Sequence, residues 1–306
     1  MIKKRIEDEK LLEHLKNIEM DHKEIYLLAD ESIRLSIISA TEMVNQVKAN
    51  FSLGLLESYI LSQGYIAGAL LSSTVKGNDR VLLQLECGGP VKGMSIESWA
   101  SGAVRGYLAT KSIALEKPLE SLDTSFLYGP GFLSVTKILE GSKTPFTGQV
   151  MMEYGNLAKD LALYFTQSEQ TPSLFYIDLS YDGRGNIDGA GGIFIQALPS
   201  ADEKTLEEIN SMSFSPLAKA IRDGEKISTY IEREFSRFSA RLIKKSLVGF
   251  SCPCSKQGFL PYIKSMMEKN EEEFLSSTFP LAVECINCAS TYSYTKEEVL
   301  ALRGSK

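Results

Sequence analysis

Polar and charged positions dominate the first 22 residues, where a thin apolar stripe of Ile6, Leu11, Leu12, Leu15 and Ile18 recurs at roughly helical spacing. The pattern predicts an N-terminal helical extension over 1–22. It also places His14 and His22 as solvent-exposed helix residues, since no cysteine or second histidine stands at ligand spacing. From residue 23 to about 200 the pattern is mixed. Ile33-Arg34-Leu35-Ser36-Ile37 alternates as a half-buried strand does, whereas Phe51 to Thr74 is long, apolar and rich in Leu, Ala and Ser, as a buried helix is. Val81 to Cys87 reads as a strand stopped by Gly88-Gly89-Pro90. Further strands are expected within Ser95–Leu108, Phe132–Leu139, Thr147–Tyr154, Phe175–Leu179 and Ile193–Leu198. A helix is expected over Asn156–Glu169, with Leu157, Leu161, Tyr164 and Phe165 on one face. The glycine-rich run from Gly183 to Gly192 resembles a phosphate loop, but a strand rather than a helix follows it, so a hairpin turn accounts for it better.

Beyond Pro199 the composition changes. Ala201 to Gly224 is polar with short helical stretches, and Lys226 to Leu247 reads as one amphipathic helix. Ile227, Tyr230, Ile231, Phe235, Phe238 and Leu242 form its apolar face. Its serines and aromatics are poor helix formers, so its order should depend on packing against neighbours. Strands and helices intermingle without regular β-α-β alternation, which makes the fold class α+β. The expected organisation is an extension over 1–22, a mixed core domain over 23–200, a metastable helical linker over 201–249 and a small cysteine-bearing module over 250–306.

The chain has 306 residues, 24 % of them charged, and a formal net charge of −6. An acidic protein without a dense basic stripe does not suit phosphate backbones, so no nucleic-acid partner is expected. No apolar run approaches the roughly 20 residues that cross a bilayer, and the basic start has no apolar stretch behind it, so neither a membrane nor secretion is expected. In the cytoplasmic location this implies, thiols stay reduced. That matters because the five cysteines are unevenly placed. Cys87 stands alone, while Cys252, Cys254, Cys285 and Cys288 cluster near the end.

The cluster reads Cys252-Pro253-Cys254, thirty intervening residues, then Cys285-Ile286-Asn287-Cys288. Two close pairs supply four thiolates, the set that closes a tetrahedral zinc site. The second pair lies between Leu281–Glu284 and Thr291–Tyr294, as a metal-bearing turn between strands would, and Thr295 to Glu298 reads as a capping box. Between the pairs, Phe259, Leu260, Ile263, Met266 and Met267 form a helical stripe. A module of this size is marginal on apolar burial alone, whereas one structural zinc contributes about 10–16 kcal/mol of apparent binding energy. One Zn2+ per chain in the reduced state is therefore expected. Lys244, Lys245 and Lys256 are the cations near enough in sequence to offset the thiolate charge.

With these motifs in view, the chain resembles the heat shock protein 33 family, the redox-regulated 33 kDa chaperonins, over about residues 24 to 303. The resemblance rests on the Cys-x-Cys and Cys-x-x-Cys pairs together with Gly88-Gly89-Pro90, Gly102 to Tyr107, Tyr154 to Asp160, Ser168 to Ser173 and Ala190 to Pro199. It implies an ATP-independent holdase, not an enzyme, inactive while reduced and zinc-bound. Oxidation would pair Cys252 with Cys254 and Cys285 with Cys288, release zinc, unfold module and linker, and expose apolar surface to unfolded client proteins. It also implies a homodimer in the oxidised state. Tyr230, Phe235 and Phe238 are the candidate client-binding residues. Lys256-Gln257-Gly258 and Phe279 to Ala282 depart from the family pattern. The alternatives are a zinc-ribbon nucleic-acid binder, disfavoured by charge, and a thiol–disulfide oxidoreductase, which places its Cys-x-x-Cys at a helix N-terminus rather than in a turn.

Overall fold

The charged start of the chain forms a shorter helix than its stripe suggests. In the computed structural model, which describes residues 1–115, 117, 121 and 123–303, α1 covers Glu9–Asn17 only. The Asp8 side chain accepts the Leu11 N–H at 2.9 Å and so caps the helix there, leaving the preceding residues outside any helix or strand. His22, expected on an exposed helix, opens β1 (His22–Leu28) and is buried. β1 lacks the alternation that marks a strand because six of its seven residues are buried, Lys23 and Glu24 among them.

β2 (Ile33–Ser39) follows, then α2 (Thr41–Phe51), which the sequence reading left out, and α3 (Leu55–Leu71), ended by a 3-10 turn over Ser72–Thr74. Ser52, in the left-handed region at φ 54°, ends α2, so the helix expected from Phe51 begins only at Leu55. Next come β3 (Arg80–Cys87), β4 (Gly93–Trp99), β5 (Ala103–Leu108), β6 (Gly131–Ile138) and β7 (Phe146–Met151). α4 (Leu157–Gln167) buries the four residues expected on its inner face. β8 (Ser173–Tyr181) and β9 (Ile187–Ala197) close a hairpin whose turn is shorter than the glycine-rich run. Asp182 and Asn186 join backbones across it, and Ile187 to Gly192 already lie in the strand.

The linker departs most from expectation. α5 (Glu203–Asn210) and α6 (Leu217–Arg222) fit its short helical stretches. The helix expected over Lys226–Leu247 does not form as one element. α7 covers Ile227–Glu234, a 3-10 turn follows over Ser236–Phe238, Ser239 turns the chain at φ 50°, and β10 (Arg241–Leu247) is a strand. β10 finds an open edge in β1 and pairs with it antiparallel, which satisfies the backbone more fully than a solvent-exposed helix end would. Leu242, assigned to the apolar helix face, is consequently half exposed at 49 %.

Two antiparallel-built sheets sandwich the helices. One has the order β10-β1-β2-β9-β8, and the other β5-β4-β3-β6-β7 with β11 (Gly249–Phe250) added in parallel to β5. α3 lies between them, in one apolar cluster with Leu83 and Ile96 of the second sheet and Phe194 of the first. Gly68 permits the approach, since a Cβ there would lie 2.6 Å from Ile96 Cγ2. The outer face of the first sheet, carrying Tyr26, Leu28, Leu35, Ile193 and Ile195, is covered by α6 and α7. The C-terminal module contains α8 (Lys256–Lys269), α9 (Glu271–Ser276), the hairpin β12 (Leu281–Glu284) with β13 (Thr291–Tyr294), and α10 (Lys296–Leu300) behind the expected Thr295/Glu298 capping box. No helix among the described residues is long and apolar enough to cross a membrane.

Candidate metal centre

The chain reaches the cysteines along the edge of the second sheet. Gly249 and Phe250 pair with Ala103 and Val104, and the Ser251 N–H donates to the Val104 carbonyl at 2.9 Å. Gly102, at φ 98°, makes room for this crossing, because a Cβ there would lie 2.0 Å from the Leu247 carbonyl oxygen. Cys252 thus arrives beside Arg105 of β5. Ser255 caps α8 immediately after Cys254, accepting the Gly258 N–H at 3.0 Å. The second pair sits where expected, in the turn between β12 and β13, with the Cys285 N–H bonded to the Ser290 carbonyl and the Cys288 N–H to that of Cys285. Ile263, Met267, Tyr292, Tyr294 and Val299 pack as the module's own small core.

The fold brings Cys252, Cys254, Cys285 and Cys288 together, with all four sulfurs within 4.8 Å of one another. Cys252 and Cys285 are 3.8 Å apart, and Cys254 and Cys288 are 3.3 Å apart. Zinc–sulfur bonds of about 2.3 Å in a tetrahedron require sulfur–sulfur edges of about 3.8 Å, so the four thiols suit a zinc ion. Three of the four are buried and Cys254 is half-buried. Cys87 lies apart at the end of β3, where burial pushes its thiol pKa up.

The cation beside the sulfurs is not one of the three lysines. Lys245 pairs with Glu24 at 2.9 Å and Lys256 with Glu298 at 2.6 Å. Instead Arg105 directs Nη1 at Cys252 Sγ, 3.5 Å away, while its Nε donates to Glu97 at 2.7 Å. Hydrogen bonding from Cys285 and Cys288, together with Arg105, holds Cys252 well below the usual thiol range against the opposing effect of burial. Ser290 Oγ lies 3.1 Å from Cys288 Sγ, and the Tyr292 hydroxyl lies 3.4 Å from Cys254 Sγ. Arg105 stands in the stretch Gly102 to Tyr107, and nothing in its spacing joins it to cysteines nearly 150 residues away.

A model of the Hsp33 protein family matches residues 21–295. The chain belongs to the Hsp33 family. It is similar to the 33 kDa chaperonins of Geobacter sp. strain M21, at 30 % identity over 271 residues (88 % of this chain and 92 % of that one), and of Shouchella clausii, at 31 % over 277 residues (89 % and 94 %). It also resembles the crystal structure of the 33 kDa chaperonin of Thermotoga maritima, with a TM-score of 0.80 and 26 % identity over 93 % of this chain and 98 % of that one. Chaperone identity, the mixed helix–strand fold and the C-terminal cysteine cluster therefore stand together.

Tyr230, Phe235 and Phe238 lie away from this centre, in the apolar cluster between α7 and the outer face of the first sheet. None is more than 5 % exposed. The Tyr230 hydroxyl donates to the Ser215 carbonyl at 2.6 Å, and Phe214 and Phe235 rings lie 5.7 Å apart.

Proposed function

We propose that the protein is a redox-regulated, ATP-independent holdase of the cytoplasm that shields unfolding proteins from aggregation and is silent while reduced. The observation that carries this reading is the placement of the four thiols at the end of the linker, so that one sulfur cluster holds the last strand of a cover over apolar sheet surface. When bound, zinc supplies a four-coordinate cross-link between residues 252–254 and 285–288. Arg105 stabilises the thiolate of Cys252, and Tyr292 and Ser290 stand beside two of the others.

Oxidation takes two electrons from each pair of thiolates. A peroxide accepts them, its O–O bond breaks, and with two protons it leaves as water while one S–S bond forms; two peroxides complete Cys252–Cys254 and Cys285–Cys288. Sulfurs joined in this way no longer serve as ligands, and the module loses its staple. β10 and β11 are continuous with Cys252 through a few residues, so the linker loses its fixed end. Tyr230, Phe235 and Phe238 then leave the sheet, and both surfaces become available to extended apolar segments of clients. The same exposure gives two oxidised chains a reason to dimerise. The turn position of Cys285 and Cys288, between strands, favours this reading over an oxidoreductase.

The test is light scattering of an aggregating client with the full chain, first reduced and zinc-loaded, then oxidised by peroxide. Suppression by the oxidised form alone is expected; equal suppression by both forms would remove the redox control.

A further inference from the structure

Residues 1–8 lie ahead of α1 and outside the segment matched by the family model, which begins at residue 21. They run between the cysteine module and the core and bond to both. At the module end, the Ile2 N–H donates to Ser290 Oγ at 2.8 Å, the same hydroxyl donates back to the Ile2 carbonyl at 3.2 Å, and the Met1 amino group donates to the Cys254 carbonyl at 2.9 Å. In the middle, Asn50 of α2, wholly buried, joins three parts of the molecule. Its Nδ2 donates to the Ile2 carbonyl at 3.0 Å and to the Cys288 carbonyl at 2.9 Å, while its Oδ1 accepts the Lys4 N–H at 3.1 Å. Gln46, one turn earlier on α2, donates to the Lys4 carbonyl at 2.8 Å.

The other end is fixed independently of the module. Asp8 accepts Asn186 Nδ2 at 2.9 Å and pairs with Arg184 at 3.3 Å, both in the β8–β9 turn. Leu11 is buried, and His14 Nε2 lies 2.6 Å from the Asp188 carbonyl. Between its two ends the segment is not packed like core. A cavity of about 610 Å³ opens beneath it, lined by Lys4, Asp8, Leu11, Lys48, Ala49 and Asn186 among others. A second of about 220 Å³ lies where Lys4, Tyr107 and Ile286 face one another. A segment held by a few polar bonds beside open space can come away without leaving a hole in the fold.

We propose that residues 1–8 are an intramolecular clasp, anchored on the core at Asp8 and closed on the module at Ser290, that sets how readily the module lifts from the core. Without it, the module is joined to the core by β11, by the Gly106 N–H on the Asn287 carbonyl at 3.3 Å, by Arg105 on Cys252 and by Asn50 on Cys288. The clasp adds the bonds from Met1 and Ile2. Losing them should raise the opening equilibrium by on the order of tenfold or more. The clasp concerns docking alone, so it stands whether or not docking controls client binding.

Hydrogen exchange of the reduced, zinc-loaded full chain, compared with the same chain lacking residues 1–6, tests this directly. The shortened chain keeps Asp8 and the cap of α1. Exchange across β12, β13 and the intervening turn, and at Gly106, should accelerate by on the order of tenfold, while α3 exchanges as before. Ser290→Ala, made in both backgrounds, should accelerate exchange more in the full chain than in the shortened one, where the Ile2 bonds are already gone and only its contact with Cys288 Sγ is left to lose. Unchanged exchange at 281–294 in the shortened chain would overturn the clasp. So would equal acceleration in α3, which would make the segment an ordinary part of the core, or full additivity of the two changes, which would mean that Ser290 acts without the arm.

Discussion

The two faces of the five-stranded sheet are closed by different kinds of cover. The inner face lies against α3, a 17-residue helix with 13 buried residues, itself pressed from behind by a second sheet. The outer face lies under α6 and α7, of 6 and 8 residues, joined by turns and followed by an edge strand. Helices of that length are unstable alone, since about 12–15 residues are needed even for good formers. Their order comes from Ile227, Tyr230, Ile231, Phe235 and Phe238 packed on the sheet, and β10 and β11 carry the chain from there to the cysteine module. Apolar burial of similar quality is thus expected to give one cover that belongs to the global fold and one that opens separately.

The sharpest way to break this contrast is to remove the fixed end. Cys285→Ser leaves three thiolates where four close the site, and so forfeits much of an apparent binding energy of about 10–16 kcal/mol. Under a competing chelator, elemental analysis should find the variant almost free of zinc where the parent keeps one ion per chain. Exchange protection should fall from about residue 205 onward and persist in α3. Full zinc in the variant would displace Cys285 from the ligand set.

Opening the cover from within should follow as the next largest effect. Phe235→Asp places a carboxylate at a position with no exposure, at a cost of several kcal/mol. The reduced, zinc-loaded variant is expected to suppress client aggregation partially. If its linker exchanges freely and aggregation proceeds unchecked, linker opening is not the trigger.

A matched pair of truncations then separates the two covers. Ile66→Ala, on α3, should lower global stability by about 2–5 kcal/mol in urea, followed by fluorescence of Trp99, the single tryptophan. Ile231→Ala, on α7, removes a side chain buried to the same degree but should act mainly on linker exchange, with a smaller shift in the global midpoint. Equal global losses would show that the covers unfold together.

Part of this contrast is legible in the sequence. The paired cysteine spacing located the sulfur cluster, and the α4 stripe its buried face. Three things were hidden for physical reasons. β1 is buried on both faces and carries ionisable residues there, so no alternation marked it. β10 is amphipathic enough to continue a helical stripe, and only the free edge of β1, a tertiary feature, makes it a strand. Arg105 serves the cysteines from another sheet, a relation that spacing along the chain cannot express.

The smallest expected effect lies at the seam where β10 joins β1. Glu24, 2 % exposed, stands 3.2 Å from His22 Nε2 and 2.9 Å from Lys245 Nζ and accepts the Tyr26 hydroxyl. Burial opposes its charge, but the bonds from His22, Tyr26 and Lys245 outweigh it and hold the carboxyl at about 2, below its ordinary 4.5. A depressed carboxylate contributes stability that is present above pH 4.5 and is lost as pH falls toward 2. Burial likewise disfavours charged His22, yet its bonds to Glu24 and to the Met20 carbonyl raise its pKa above 6.5 even with Lys245 nearby. Its contribution is present below 6.5 and fades as pH rises through the folded value. The seam should therefore be tightest between these limits, with Glu24 worth on the order of 2 kcal/mol on the acid side. Glu24→Gln keeps the shape, removes the charge and takes away the partner that raises His22. Urea midpoints of the reduced parent and variant at about pH 3, 5.5 and 8 should differ most at the middle value, draw together at pH 3, and narrow at pH 8 only by the part His22 supplies, since Tyr26 and Lys245 still hold the carboxylate there. A gap that does not change across the three would mean that the ionisation of Glu24 and His22 does not hold the seam.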